Sequence, residues 1–166
     1  MARLTPTLIV VAALVATAAC SPKPKQIPPP PGGEGTTGPV TQDNVVPGSR
    51  ADFERSVTSN TIHFALDKYD IDAESRAILD SQAAWLAKWP NVPVSLEGHC
   101  DERGTREYNL ALGDRRANAA KNYLAARGIN PARISTISYG KERPIALGSD
   151  ESSWAQNRRA VTIVLN

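Results

Sequence analysis

The chain is poor in the residues that stapled folds and metal centres depend on. It has two cysteines, Cys20 and Cys100, among 166 residues. Two are too few for a disulfide framework, and their distant positions point to separate jobs. It has two histidines, His63 and His99. A metal site takes three or four ligands, so two histidines without a third partner argue against one. No metal and no cofactor is expected. An excess of either charge is also lacking, since 19 Lys and Arg stand against 17 Asp and Glu for a net charge of +2. Nucleic-acid binding ordinarily demands a clear basic excess, so no nucleic-acid partner is expected. The apolar run Leu8–Ala16 is too short to span a bilayer comfortably as a helix.

That run has another use. Arg3 precedes it and small residues follow it up to Cys20. A positive start, an apolar middle and a small-residue end make a secretory signal over residues 1–19. The end, Thr17-Ala18-Ala19-Cys20, resembles a lipobox, which implies lipidation of Cys20. Thr17 departs from the pattern, which prefers Leu there. An ordinary signal cut beside an incidental cysteine is the alternative. Ser21, where Asp would retain the protein elsewhere, implies sorting to the outer membrane. One acyl chain holds only marginally, so a stable anchor needs more than one. Residues 21–50 then carry eight prolines and five glycines with no apolar period. Such a segment cannot offset the cost of ordering by burial. Residues 20–51 are expected to form a lipidated N-terminus and a disordered tether. Extended as polyproline II, thirty residues would reach on the order of 90 Å.

Residues 52–166 read as a folded domain. The pattern predicts a strand over Thr61–Phe64. A helix follows from about Ala73 to Lys88, N-capped by Asp72 and ended by Pro90. Its Leu79, Ala83 and Leu86, flanked by Ile78 and Trp85, make a core face. Trp85 and Trp89 are read as core or core-edge packing. Val94–Gly98 alternates as a strand, Arg106–Ala126 is a second helix, and Gly128 is its expected left-handed end. Ile134–Tyr139 is a third strand, Glu151–Asn157 a short helix, and Val161, Ile163 and Leu165 face one way on a last strand. The order β-α-β-α-β-β describes an α+β fold, a two-layer α/β sandwich.

The organising stretch runs from Gly98 to Ala117 as strand end, polar turn and helix. Asp101 leaves the strand on the turn. Thr105 is a plausible N-cap for the helix. Asn109, Leu112 and Arg116 share one helix face. Together they offer an anion, a planar cation and free helix N-terminal amides, a socket for a zwitterion with its own ammonium and carboxylate. Ammonium wants the Asp101 carboxylate. A carboxylate wants the parallel donors of the Arg116 fork. Gly113 inside the helix costs about 1 kcal/mol relative to Ala, unless something must approach its backbone closely; a ligand is the approach that fits the socket.

Four blocks in order carry a resemblance: Phe64-Ala65-Leu66-Asp67-Lys68-Tyr69-Asp70-Ile71, the organising stretch, Ser138-Tyr139-Gly140-Lys141-Glu142-Arg143-Pro144, and Asn157-Arg158-Arg159-Ala160-Val161. Over about Phe53–Leu165 the chain resembles the OmpA-like peptidoglycan-binding domain family, and within it the lipoprotein branch that works with the Tol envelope complex. The resemblance implies a mixed four-stranded sheet with helices on one face. It implies no enzyme but a wall-binding module that ties the outer membrane to peptidoglycan through the meso-diaminopimelate of stem peptides. It further implies a role in envelope integrity and in constriction at cell division. The implied ligand residues are Asp101 and Arg116, with Thr105, Asn109, Leu112 and Phe64. Leu112 and Phe64 would wall the aliphatic stem of the ligand. Many relatives place an Asp after Phe64, and Ala65 stands here, so that polar role counts as lost. The implied partners are the periplasmic propeller protein TolB and the Tol complex, meeting a surface that overlaps the ligand face.

Other readings carry less. Asp101 and Arg116 could pair only with each other. A cell-wall hydrolase would need a dyad, yet His99 and Cys100 are strand neighbours that point to opposite faces. Glu97, Asp101 and Glu102 show no pattern of a desolvated glycosidase acid. Cys100 is expected to pack as a small residue. Arg158 and Arg159 are expected to act structurally near the site. A wall-binding accessory outside the Tol complex would share the same socket.

Overall fold

The computed structural model describes residues 45–165. The signal segment 1–19, Cys20 and the tether up to residue 44 lie outside the described residues. The described residues begin before the expected boundary at residue 52. Helix α1, Arg50–Ser56, takes up the last residues assigned to the tether. Ser49 caps it by accepting from the Asp52 amide. Asp52 in turn accepts from the Gly48 amide and from Trp85 Nε1. Phe53 packs edge-on against Trp85 at 5.0 Å. Trp85 is therefore a core residue, as its spacing predicts, with its one polar atom satisfied by a helix the sequence pattern does not announce.

The remaining elements follow the expected order. Strand β1 is Thr61–His63, helix α2 Ala73–Lys88, strand β2 Val94–His99 and helix α3 Arg106–Ala126. A 3-10 turn at Pro131–Arg133 leads into β3, Ile134–Gly140; α4, Glu151–Asn157, and β4, Arg159–Val164, complete the described residues. Asp72 caps α2 through the Ser75 amide, and Gly128 (φ 90°) follows α3. The sheet order is β1-β4-β2-β3. β4 pairs antiparallel with both β1 and β2, and β2 pairs parallel with β3. This is the mixed four-stranded sheet that was expected.

Alternation sorts the sheet into two faces. Ile62, Val94, Leu96, Ile134, Ala160 and Val164 join Leu79, Leu86, Ala117 and Leu124 of α2 and α3 in the core. On β4 the core side is Ala160, Thr162 and Val164; Val161 and Ile163 turn the other way and Leu165 is exposed. Thr162 stays in the core because its hydroxyl donates to Gln82 Oε1.

One contact sets how closely α3 lies on the sheet. A Cβ at Gly98 would sit 1.8 Å from the Gly113 carbonyl oxygen, and a Cβ at Gly113 would sit 2.3 Å from Ser138 Oγ. What approaches the Gly113 backbone is thus strand β2, not a ligand. Two missing side chains let helix and strand backbones touch.

Candidate functional site

Strand β2 ends at His99, and the chain breaks from the sheet through Cys100 and Asp101. The Cys100 amide donates to the Gly140 carbonyl, which holds the turn against β3. Thr105 then caps α3, its hydroxyl accepting from the Tyr108 amide at 3.2 Å. Asn109, one turn into the helix, donates back to the carbonyls of Arg103 (2.7 Å) and Thr105 (3.0 Å). Turn and helix are thereby locked as one unit. Beside them lies a cavity of about 300 Å³. Its lining includes Asp101, Asn109, Leu112 and Arg116, which were expected to converge, and also Leu66, Asp67, Cys100, Arg103, Gly104, Tyr108 and Arg158.

Two expected residues are not in the lining. Thr105 is exposed and caps α3. Phe64 is buried in the core, its ring 5.1 Å from the Arg116 guanidinium. It lies against the site cation rather than the cavity. The apolar wall comes instead from Leu112 and Leu66. The loop after β1 turns at Asp67, which adopts φ 53° and accepts from the Tyr108 hydroxyl at 3.2 Å. A carboxylate therefore reaches the cavity from residue 67, two places beyond the position where one seemed to be lost. Asp67 stands in the block Phe64–Ile71, but nothing in the sequence pattern turns its side chain toward the cleft.

Arg116 is fully buried. Its Nε donates to the Lys68 carbonyl at 2.8 Å, Nη1 to His99 at 2.8 Å and Nη2 to Ala65 at 3.2 Å. Of five N–H groups, two remain beyond these three bonds. Burial pulls its proton affinity below the usual arginine value, with the nearby Arg158 adding to this and Cys100, Asp101 and Asp67 opposing it; arginine still stays charged. Asp101 does not pair with Arg116. It takes the Arg103 amide and a two-pronged grip from the Arg103 guanidinium, Nε to Oδ1 at 3.2 Å and Nη2 to Oδ2 at 2.6 Å. Arg158 Nη1 reaches it at 3.4 Å. Burial pushes the Asp101 carboxyl up, but the bonds from Arg103 and Arg158 outweigh it and hold the group below the usual carboxylate range. Arg103 is itself stacked over Trp154 at 4.0 Å. Arg158 also donates to the Phe64 carbonyl and to Glu151, the structural work expected of it, while lining the cavity.

The lining thus carries two carboxylates (Asp67, Asp101) and three guanidinium groups (Arg103, Arg116, Arg158). Separated opposite charges in one small cleft, with one cation in excess, suit a ligand that carries both an ammonium and carboxylate. Nucleophilic chemistry is disfavoured. Cys100 donates its thiol to the Asn109 carbonyl, and burial pushes that thiol up, away from the reactive thiolate.

His99 points out of the opposite sheet face. Burial and then the charges of Arg159 and Arg143 lower it from 6.5 to about 4. Its folded value lies below the unfolded one, so between these values the unfolded chain binds the proton and the folded chain does not. Stability is therefore lost as pH falls from about 6.5 to about 4, on the order of 2–3 kcal/mol. Asp52, Asp72 and Asp101, all lowered from 3.8, act only at more acidic pH, while His63, lowered from 6.5 by burial and then by Arg159, adds to the loss in the same direction as His99. Urea midpoints at pH 7 and pH 4.5 should differ in the parent chain, and much less in His99→Gln. Equal differences in both would remove His99 from the account.

A helix-backed mixed sheet with this cleft at the end of its second strand defines a class. The OmpA family model matches residues 63–158, and the chain belongs to that family. Within it, the chain falls among the peptidoglycan-associated lipoproteins. The peptidoglycan-associated lipoprotein of Rhizobium meliloti is 49% identical over 159 residues, covering 96% of this chain and 87% of that one. The crystal structure of the peptidoglycan-associated lipoprotein from Burkholderia pseudomallei superposes with a TM-score of 0.65 at 40% identity, covering 69% of this chain and all (100%) of that one. The C-terminal domain of Helicobacter pylori MotB shares the fold, with a TM-score of 0.60 at 22% identity. No catalytic activity figures in these names.

Proposed function

We propose that this chain is a non-catalytic anchor, held in the outer membrane through lipidated Cys20, with residues 52–166 as the wall-binding domain. The domain grips peptidoglycan at the free amino-acid end of diaminopimelate. The observation that carries the reading is the separation of Asp101 from Arg116 within one cleft, each on its own partners. Asp101 faces the ligand ammonium, the two spare N–H groups of Arg116 face its carboxylate, and Leu66 and Leu112 flank its methylene stem. Asn109 holds the turn rather than the ligand, and Thr105 sets the helix end. The wall-associated and lipoprotein names of relatives at 40–50% identity agree with this. Exposed Leu66 and Tyr108 line the same cleft, an apolar rim suited to a protein partner. TolB of the Tol complex is the partner we assign to it. Occupancy by the wall and by TolB would then exclude each other, and the complex would serve envelope integrity and constriction at division.

The test is retention of the full chain on purified sacculi. The parent chain should sediment with diaminopimelate-containing walls and be released by free meso-diaminopimelate. Asp101→Asn should bind about tenfold or more weakly while remaining folded, since a charge-assisted contact is lost. Equal retention of Asp101→Asn, with no release by the free amino acid, would rule the cleft out.

A further inference from the structure

A second cavity, of about 660 Å³, opens on the sheet face away from α2 and α3. Strands β1, β2 and β4 supply His63, Glu97, His99 and Arg159; the loop after β3 supplies Arg143, Pro144 and Ile145. Nothing in the first cleft uses these side chains. The His99 ring is 2% exposed, yet neither ring nitrogen has a hydrogen-bond partner among the described residues. The carboxylate oxygen Glu97 Oε2 lies 3.8 Å from Nε2, beyond bonding distance. Buried polar atoms are normally paired, and an orphan pair lining a cavity marks a place for a ligand.

The surroundings define that ligand. Arg159 is 5% exposed and spends two of its N–H groups on the carbonyls of Asn157 and Arg143. The Arg143 guanidinium lies 3.7 Å over the Tyr139 ring, and its N–H groups make no hydrogen bond among the described residues. Two cations, the buried Arg159 and the exposed Arg143, therefore face one carboxylate, Glu97. A neutral His99 supplies one donor and one acceptor. Pro144, Ile145 and Val161 add apolar wall. We propose that this cavity binds the carboxylate end of a peptide. The carboxylate meets Arg143 and Arg159, the last amide N–H donates to the free acceptor of His99 or to Glu97, and a small apolar side chain rests on Ile145 and Val161. A volume of this order holds a dipeptide rather than a bare ion. The end of a protein chain and the D-alanine end of a wall peptide share this chemistry.

The test is NMR of the ¹⁵N-labelled full chain, reading the His99 ring nitrogens and the arginine Nε signals. The probes are N-acetyl-L-Ala-L-Ala, N-acetyl-D-Ala-D-Ala, both C-terminal amides, and acetate. At least one free-acid dipeptide should shift His99 and Arg159 saturably; an L preference assigns a protein end, a D preference a wall peptide. The amides and acetate should bind about tenfold more weakly or not at all, and Arg143→Gln, an exposed change, should weaken the free acid about tenfold. Excess meso-diaminopimelate should leave the shifts in place. No saturable shift, equal binding of the amides, an unaffected Arg143→Gln, or displacement by diaminopimelate would each overturn the proposal.

Discussion

Arg116→Ala is expected to unfold much of the domain's margin of stability, not only to abolish wall binding. The guanidinium satisfies three carbonyls, on Lys68, His99 and Ala65, drawn from one loop and a strand end. Truncation leaves all three buried acceptors unpaired and empties the volume of a fully buried side chain. Each unpaired buried group costs about 1–3 kcal/mol, and the sum is blunted by water entering the cleft, so a loss on the order of 4 kcal/mol is expected. The melting temperature should fall on the order of 10 °C or more. Lysine cannot reproduce the fork, so Arg116→Lys should recover little of the loss. Calorimetry and urea titration of both variants decide this. A shift within about 1 kcal/mol would mean that the three carbonyls find other partners. For the same reason, a wall-binding defect in Arg116→Ala is ambiguous by itself, and Asp101→Asn is the cleaner probe of the cleft.

Gly98→Ala should be nearly as damaging, and Gly113→Ala should not. At Gly98 the new methyl would meet a helix carbonyl, 1.8 Å from its oxygen and 2.6 Å from its carbon. Neither belongs to a flexible side chain. α3 has to lift from β2, with a loss on the order of 3 kcal/mol or more. At Gly113 the closest atom is the Ser138 hydroxyl, at 2.3 Å, which can rotate at the cost of the bond it accepts from the Gly140 amide, and the Gly98 oxygen is at 3.0 Å. Alanine also gains about 1 kcal/mol of helix propensity, so the net change should stay within about 1 kcal/mol. Lifting α3 carries Arg116 away from the His99 carbonyl, so Gly98→Ala should also lose wall retention. If the two alanine variants are equally stable by urea titration, the close approach is not what positions the helix.

The strands and long helices were legible because caps and periodicity agree: Asp72 and Thr105 open α2 and α3, and Gly128 follows the last turn. Helix α1 was not, because seven residues after a proline-rich stretch show little period, and its hold on Trp85 is a contact across 33 positions. Asp101 and Arg116 were legible as a pair of opposite charges delivered by one turn and one helix. Their partners were not. Arg103 binding Asp101 is a choice among several nearby arginines, and only packing makes it. Phe64 shows the limit most plainly: the resemblance implied a wall of the cleft, whereas here it lies under the cation, and Leu66 takes the exposed place.

His99 gives its carbonyl to Arg116 on one side of the sheet and its ring to the other cavity. A single residue is thus common property of two surfaces. Anyone redesigning one of them for a new specificity would re-aim the other at the same stroke. Grafting this domain as a wall-targeting tag would best leave residues 98–101 untouched, together with Arg143, Pro144 and Ile145 of the loop after β3.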